Sequence, residues 1–381
     1  MIYDIAIIGA GASGLMSASQ LPTKSIAIID SNSKIGLKIL ASGGGKCNVT
    51  NKNVTSDNYL GDKNFVQKTL DGFTSNQLLE FLDKFQLKLE ERKYGQYFCK
   101  KSAKDVVSIF EKLTSHCHFF MNSKVSKVSK VEFKNHFTIK TQNKTIEAKK
   151  LIVASGGISY TSIGASPIGY EIAKSFGHSV VTPAPALVGL TVQKDQFWMK
   201  NLSGISFNVK LSIENKTLES DLLFTHKGIS GPVVMSGSLY WKKGKMALDF
   251  LPSSDLSKLL DKKSKKQISS QLPLPKRFVL EFLQSIHVED KQINKLKLDE
   301  LEKLQVLKNY EFAPAGNFGF SKAEVTKGGV CTDEIDNLTF ESKLQKNLFF
   351  IGEVLDVTGE LGGYNFQWAF ASAVALTKGI K

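Results

Sequence analysis

Arginine is almost missing from this chain: Arg92 and Arg277 stand against a lysine-plus-arginine total of 50. Arginine is the residue that grips phosphates and base edges through paired bonds. The formal charge of +14 is therefore lysine charge, and it reads first as solvated surface, with nucleic acid not the expected partner. The lysines are densest at Lys262, Lys263, Lys265 and Lys266, and the net charge leaves room for an anionic substrate or NAD(P)H attracted over distance. Cysteine is scarce too. Cys47, Cys99, Cys117 and Cys331 make no C-x-x-C pair, which fits free thiols in a reducing compartment. No apolar run is long enough to span a membrane. The apolar N-terminus has no basic leader and is interrupted by Asp4 and glycines, so no signal peptide is expected and the cytoplasm is the expected location. No internal repeat is evident, and His116, His118, His136, His178 and His287 show no metal-ligand spacing. Nothing bears on oligomeric state.

What is present is organised around Tyr3 to Leu21. Ile5 to Ile8 read as a buried parallel strand, followed by Gly9, Gly11 and Gly14 in G-x-G-x-x-G spacing and a helix from Ala12. In a dinucleotide turn the first glycine makes the bend and the second admits a pyrophosphate. The third lets helix and strand pack closely, and the helix start faces the phosphates. Ser25 to Ile29 reads as the second strand, ending at Asp30, close to the ~20-residue spacing at which an acid meets a ribose. Just beyond, Ser42, Gly43, Gly44, Gly45 and Asn48 form a glycine loop whose backbone N–H groups can converge on an anion or a ring.

The chain of 381 residues is long enough for one domain with a large insertion, or two to three domains. Lys63 to Leu89 reads as helix broken at Gly72, with a Thr74–Gln77 capping box and an apolar stripe through Leu78, Leu79, Phe81, Leu82 and Phe85. Ser102 and Asp105 open another helix, and Leu87 to Cys99 reads as extended. VSKVEF, HFTIKT and KTIEA suggest an antiparallel meander, then Leu151 to Val153 a buried strand ending at Ala154 and Gly156. Val188 to Phe250 reads as short strands, and Asp255 to Asn309 as lysine-rich helix. Leu348 to Ile351 is a last buried strand, followed by Gly352, Glu353 and Asp356. Gly359, Gly362 and Gly363 then precede a helix from about Tyr364 to Lys378. The expected fold is α/β: a Rossmann-like domain built from both ends of the chain, interrupted by a β-rich and a small helical unit.

GAGASGL at Gly9, GLKILASGGGKCNVTN at Gly36, ASGGISYTSIGASPIGY at Ala154, LFTHKGISGP at Leu223, EVTKGGV at Glu324 and FFIGEVLDVTGELGGYNFQWAFAS at Phe349 occur in order over nearly the whole chain. In these segments the chain resembles the BaiN/RdsA-type NAD(P)/FAD-dependent oxidoreductases, the aminoacetone-oxidase-like FAD-binding proteins. The resemblance implies a glutathione-reductase-like FAD-binding domain in two parts, 1–187 and 313–381 with its return strands. Between them it implies a β-rich substrate unit at 188–252 and a helical insertion at 253–312. It implies FAD contacts at Gly11, Ala12 and Ser13 (pyrophosphate) and at Asp30 and Ser31 (ribose). Lys38, Gly43, Gly44, Gly45 and Asn48 would lie along the cofactor, and Val125 at adenine with Ala154 and Gly156 nearby. Gly352, Glu353 and Asp356 would approach the ribityl chain, and Gly363, Tyr364 and Asn365 the isoalloxazine ring. Leu37, Gln96 and Cys99 depart from the family pattern, which has a basic residue, Arg and Pro there.

FAD would carry the redox chemistry while the protein orients it and excludes water. A single dinucleotide fingerprint leaves NAD(P)H as a transient reductant, and the absence of C-x-x-x-x-C near the first helix argues against a disulfide reductase. His226 is the candidate acid or base, with a structural hydrogen bond as the alternative. Tyr160 joins it as a second candidate catalytic residue, and Tyr364 and Trp368 line either a substrate pocket or the core. Cys47 reads as a small buried residue. The expected activity is an FAD-dependent oxidoreductase moving a hydride through flavin N5. A flavin-dependent RNA-modifying or RNA-binding protein, and a flavin redox sensor without turnover, are the alternatives.

Overall fold

The computed structural model describes residues 1–131 and 135–380. It divides into one unit of Met1–Ala184 with Val325–Lys381 and a second of Pro185–Glu324. At the centre of the first lies a seven-stranded sheet. Its strands run in the order His118–Phe120, Ile26–Ile29, Ile2–Ile8, Thr145–Val153, His136–Thr141 and Val125–Val131, with Leu348–Phe350 also paired to Thr145–Val153. Ile5, Ala6, Ile7 and Ile8 are buried, as are Ile26 to Ile29 and Leu151 to Val153, because a parallel sheet is covered on both faces.

The strand register aligns the chain ends that carry the glycine turns. Ile8 lies opposite Ile29 on one side and Val153 on the other, and Val153 lies opposite Phe350. Four parallel strands therefore end level, and Gly9, Asp30, Ala154 and Ile351 follow along one carboxyl edge. The chain leaves the Ile2–Ile8 strand to one side for Ile26–Ile29, while Thr145–Val153 flanks it on the other. That reversal is the switch point at which open α/β sheets take ligands.

The sequence suggests two separate strands over 145–153, and the structure has one. Residues Thr145 to Ala148 pair antiparallel with the meander, and Leu151 to Val153 pair parallel with Leu348–Phe350. Of the expected VSKVEF strand, Glu132 and Phe133 lie outside the described residues. The helix Ala12–Ser19 packs against Tyr364–Gly379, so the two ends of the chain share one core. The capping box forms, with Thr74 N–H donating to Gln77 at 2.8 Å and Gln77 N–H to Thr74 at 3.3 Å. Only Leu78 and Leu82 of its stripe are buried; Phe81 and Phe85 meet edge to face nearer the surface.

The second unit holds a seven-stranded sheet ordered Tyr310–Phe312, Met246–Asp249, Ser206–Ile213, Lys216–Thr225, Gly228–Ser230, Leu190–Thr191 and Gly316–Asn317. Helix Lys276–Ser285 sets Phe278 and Phe282 against Phe250 and Phe224 in its aromatic core. One helix, Pro232–Tyr240, is absent from the sequence expectation of strands. Its VVMSGSLY run lacks helical periodicity because it is buried on nearly all sides, and Pro232 starts it.

Candidate functional site

Along the carboxyl edge the three turn glycines have different physical reasons. Gly9 has φ +111°, and a Cβ there would lie 2.3 Å from the Ala154 carbonyl oxygen. At Gly14 a Cβ would lie 2.0 Å from the Gly9 carbonyl oxygen. These two are glycine for the fold itself. Gly11 is not: its φ of −90° suits any residue, and an added Cβ meets no atom within 4 Å. The helix that it starts has no side-chain cap and no acidic residue in its first turn. The first N–H groups are thus left for an anion.

Asp30 is held rigidly. Its carboxylate accepts from Ala10 N–H at 2.7 Å, Asn32 N–H at 2.8 Å and the Asn32 side chain at 2.9 Å. Ser123 N–H donates to the Asp30 carbonyl at 2.8 Å, which brings the strand starting at Val125 close by. Ser31 beside it is exposed. Tyr160 has φ +65° at the start of a short turn whose Gly164 packs on the Asn32 side chain. The Tyr160 turn thus meets the chain next to Asp30.

Gly43, Gly44 and Gly45 all adopt positive φ. Gly43 packs on the Phe98 ring, but a Cβ at Gly44 or Gly45 meets no atom within 4 Å, as at Gly11. Ser42 donates to the Ile39 carbonyl at 2.7 Å. Asn48 reaches the far end of the chain: with its oxygen toward the Gly363 N–H at 3.1 Å, its amide donates to the carbonyls of Thr50 and Tyr97. The start of helix Tyr364–Gly379 is fixed by further buried bonds. Asn51 donates to the Gly362 carbonyl at 3.1 Å and Tyr59 to the Tyr364 carbonyl at 2.8 Å, while Thr50 bonds Gln367 at 2.7 Å. Asn365 closes its own loop by pairing with both the N–H and the carbonyl of Gly359, each at 2.9 Å. This helix start also carries no acidic residue in its first turn.

A second polar node joins residues far apart in sequence. Lys38 pairs with Glu353 at 2.5 Å, and the other Glu353 oxygen accepts from Thr326 N–H at 2.9 Å. The fully buried Thr326 hydroxyl accepts from Ile158 N–H at 2.9 Å and Ser159 N–H at 3.0 Å and bonds the Ser159 hydroxyl at 3.0 Å. Thr326 therefore fixes the turn that carries Gly156. Gly352 has φ +74° and packs on Ser13, and burial raises the Asp356 carboxyl above its ordinary value. Sequence reasoning missed Thr326, Thr50, Asn51, Tyr59 and Gln367; the one available signal was a lone threonine before two glycines in EVTKGGV.

Cys47 is fully buried, and that burial pushes its thiol up to about 12. A thiolate is then negligible at neutral pH. Alkylation of the native protein with iodoacetamide at pH 7 should leave Cys47 unmodified, as read by peptide mass mapping; rapid labelling there would contradict its placement. His226 belongs to the second unit, exposed in a turn where Thr225 accepts from the N–H groups of Lys227 and Gly228. No cluster of metal-ligating side chains occurs among the described residues.

The first unit thus brings the glycine turn, Asp30, the triple-glycine loop, Lys38, Glu353 and the Gly362–Asn365 helix start to one set of chain ends. The residues fit FAD. Gly11, Gly44 and Gly45 are open where the fold itself asks for no glycine packing, and two helix starts of the same unit are left uncapped by side chains. Gly11, Ala12 and Ser13 would hold the pyrophosphate and Asp30 the ribose.

Residues 3–379 match the HI0933-like protein Rossmann domain. The chain is 38% identical to the ribosomal RNA dihydrouridine synthase of Haemophilus influenzae, covering 97% of this chain and 96% of that protein. It is 36% identical to the Escherichia coli protein of the same name, over 98% and 96%. It is 31% identical to the 3-dehydro-bile acid delta(4,6)-reductase of Clostridium scindens, over 97% and 96%. No described helix is long and apolar enough to cross a membrane. The chain belongs to the HI0933-like Rossmann family, the BaiN/RdsA type that its motifs resemble, and is an FAD-dependent oxidoreductase.

Proposed function

We propose that this protein reduces a carbon–carbon double bond conjugated to a carbonyl group, and that its substrate is a uridine of ribosomal RNA. The observation that carries the reading is the end-to-end similarity to two proteins named ribosomal RNA dihydrouridine synthase. The third relative's name fits the same chemistry. Uracil has a C5–C6 double bond conjugated to the C4 carbonyl, and a 3-dehydro-bile acid with delta-4 and delta-6 bonds is a conjugated ketone. In uracil hydride would add at C6, remote from the C4 carbonyl, and a proton at C5 beside it; at the delta-4 bond of the ketone the same pair would go to C5 and C4. When bound, FAD supplies that hydride from N5, with NADH or NADPH as a transient reductant.

The chain's own part is placement and charge. The Lys38–Glu353–Thr326 node holds the Gly156 turn, Asn48 and Asn51 hold the Gly362–Gly363 approach, and an uncapped helix start favours negative charge. From composition alone the lysines read as solvated surface; the relatives' names give them a second use, as contacts to RNA phosphates. Lys262, Lys263, Lys265 and Lys266 are all exposed, and none forms an ion pair among the described residues. Their loop is held in place, since Ile293 N–H donates to the Lys266 carbonyl and Asn294 N–H to that of Ser264.

Purified holoprotein with NADPH or NADH should convert unmodified ribosomal RNA transcript to RNA containing dihydrouridine, read as a gain of two hydrogens by nucleoside mass spectrometry. Changing the four lysines to glutamine should flatten the log–log salt dependence of RNA binding by about 3, at roughly 0.7–0.9 per lost contact. Turnover of a steroid enone with no dihydrouridine formed would instead select a small-molecule substrate.

A further inference from the structure

We infer that Tyr94 is a substrate-positioning residue, whose exposed ring stacks on a base of the RNA strand at the edge of the flavin cradle. This rests on the ribosomal RNA reading and adds to it a residue that the motifs do not contain.

Tyr94 lies at the tip of the hairpin formed by Leu89–Arg92 and Gln96–Cys99, with φ +62° and ψ +25°. That left-handed backbone suits glycine or asparagine and is costly for a bulky ring. Phe340 and Leu187 also have positive φ, but both are buried, so core packing holds them there. Tyr94 is instead 55% exposed, and its side chain makes no hydrogen bond or ring contact among the described residues. Neither backbone preference nor packing accounts for a tyrosine at this tip, and an outlier of that kind points to use by a ligand.

The place of the hairpin says which ligand. Near its base Phe98 packs against Gly43 of the triple-glycine loop, and the Asn48 amide donates to the Tyr97 carbonyl. At its tip the Asn51 amide nitrogen donates to both the Tyr94 and the Gly362 carbonyls, each at 3.1 Å. The tip is thus fixed one amide group away from the helix start that the flavin reading sets at the ring. Arg92 pairs with Glu90, and Lys52 with Glu91 at 3.5 Å, whereas Lys93 beside the ring is exposed and forms no ion pair among the described residues. An open aromatic face next to such a cation suits an unstacked base and its phosphate. A uridine must leave its own stack before its C5–C6 bond can meet a flavin, and the strand around it then needs a substitute partner.

The test is Tyr94→Asn beside Tyr94→Phe, as holoproteins acting on ribosomal RNA transcript with NADPH. Asparagine accepts the left-handed backbone, and the carbonyl that Asn51 grips survives the exchange, so Tyr94→Asn should melt at or above the wild-type temperature. Its KM for RNA should rise about tenfold, the scale of one lost base–aromatic stack, with kcat changed far less. RNA affinity should drop equally at every salt concentration, because a stack releases no counterions; the slope stays that of the wild type. Tyr94→Phe keeps the ring and should restore the wild-type KM. An unchanged KM in Tyr94→Asn would overturn the inference. So would a lowered melting temperature, which would make the ring part of the fold, or a Tyr94→Phe protein as impaired as Tyr94→Asn. Wild-type holoprotein that forms no dihydrouridine would refute the ribosomal RNA reading itself, a distinct outcome that removes this inference with it.

Discussion

Gly11→Leu folds as well as the wild type and retains no flavin. The expectation follows from the contrast among the three turn glycines. A Cβ at Gly11 needs no unusual backbone and meets no protein atom within 4 Å, so a side chain can leave the backbone there without strain and apoprotein stability should change by less than ~0.5 kcal/mol. The same side chain would stand where the pyrophosphate must approach, and affinity for FAD should fall by more than about a hundredfold, ~3 kcal/mol. Gly14→Ala reverses the pattern. Its Cβ would sit 2.0 Å from a backbone carbonyl that cannot move without pulling the Ile2–Ile8 strand, so a loss of ~3 kcal/mol or more in stability is expected. Thermal unfolding of both apoproteins and flavin absorbance after purification read the two effects separately. A Gly11→Leu protein that stays yellow would contradict the phosphate assignment.

Thr326→Val should be the most damaging exchange outside the glycines. Valine has nearly the same shape but accepts no hydrogen bond, so the N–H groups of Ile158 and Ser159 and the Ser159 hydroxyl would all lose their buried partner. At ~1–3 kcal/mol for each unmatched group, partly relieved by relaxation, the stability loss should be ~2–4 kcal/mol. Thr326→Ser keeps the oxygen and should recover most of it. The backbone N–H that Thr326 donates to Glu353 survives the exchange, so weaker FAD binding by the folded valine protein is expected only through the loosened Ile158–Ser159 turn. Equal melting temperatures for the threonine, serine and valine proteins would remove Thr326 from the account.

Local pattern makes the cofactor half of the molecule legible. The Ile5–Gly14 strand, turn and helix, the Asp30 strand end and the GELGGYN helix start are each short and self-contained, and each forms where its residues place it. What escapes is what depends on distant partners. Thr326 carries no chemistry of its own in EVTKGGV; its role exists only because the chain returns after residue 325 beside Ile158 and Ser159. Asn48 and Asn51 have the pattern of a polar loop, but they also grip Gly363 and Gly362, more than 300 residues later. The continuous strand Thr145–Val153 has two sequence patterns because its alternating half is partnered on one side by the meander, whereas its apolar half is buried between parallel strands. Helix Pro232–Tyr240 is hidden for the related reason that full burial erases periodicity.

The substrate class is the central claim, and a half-reaction tests it most directly. Holoprotein reduced anaerobically with NADPH and then mixed with unmodified ribosomal RNA transcript should regain the absorbance of oxidised flavin. One dihydrouridine should appear for each flavin reoxidised. Flavin that stays reduced in the presence of RNA, yet is reoxidised by a steroid dienone, would contradict it.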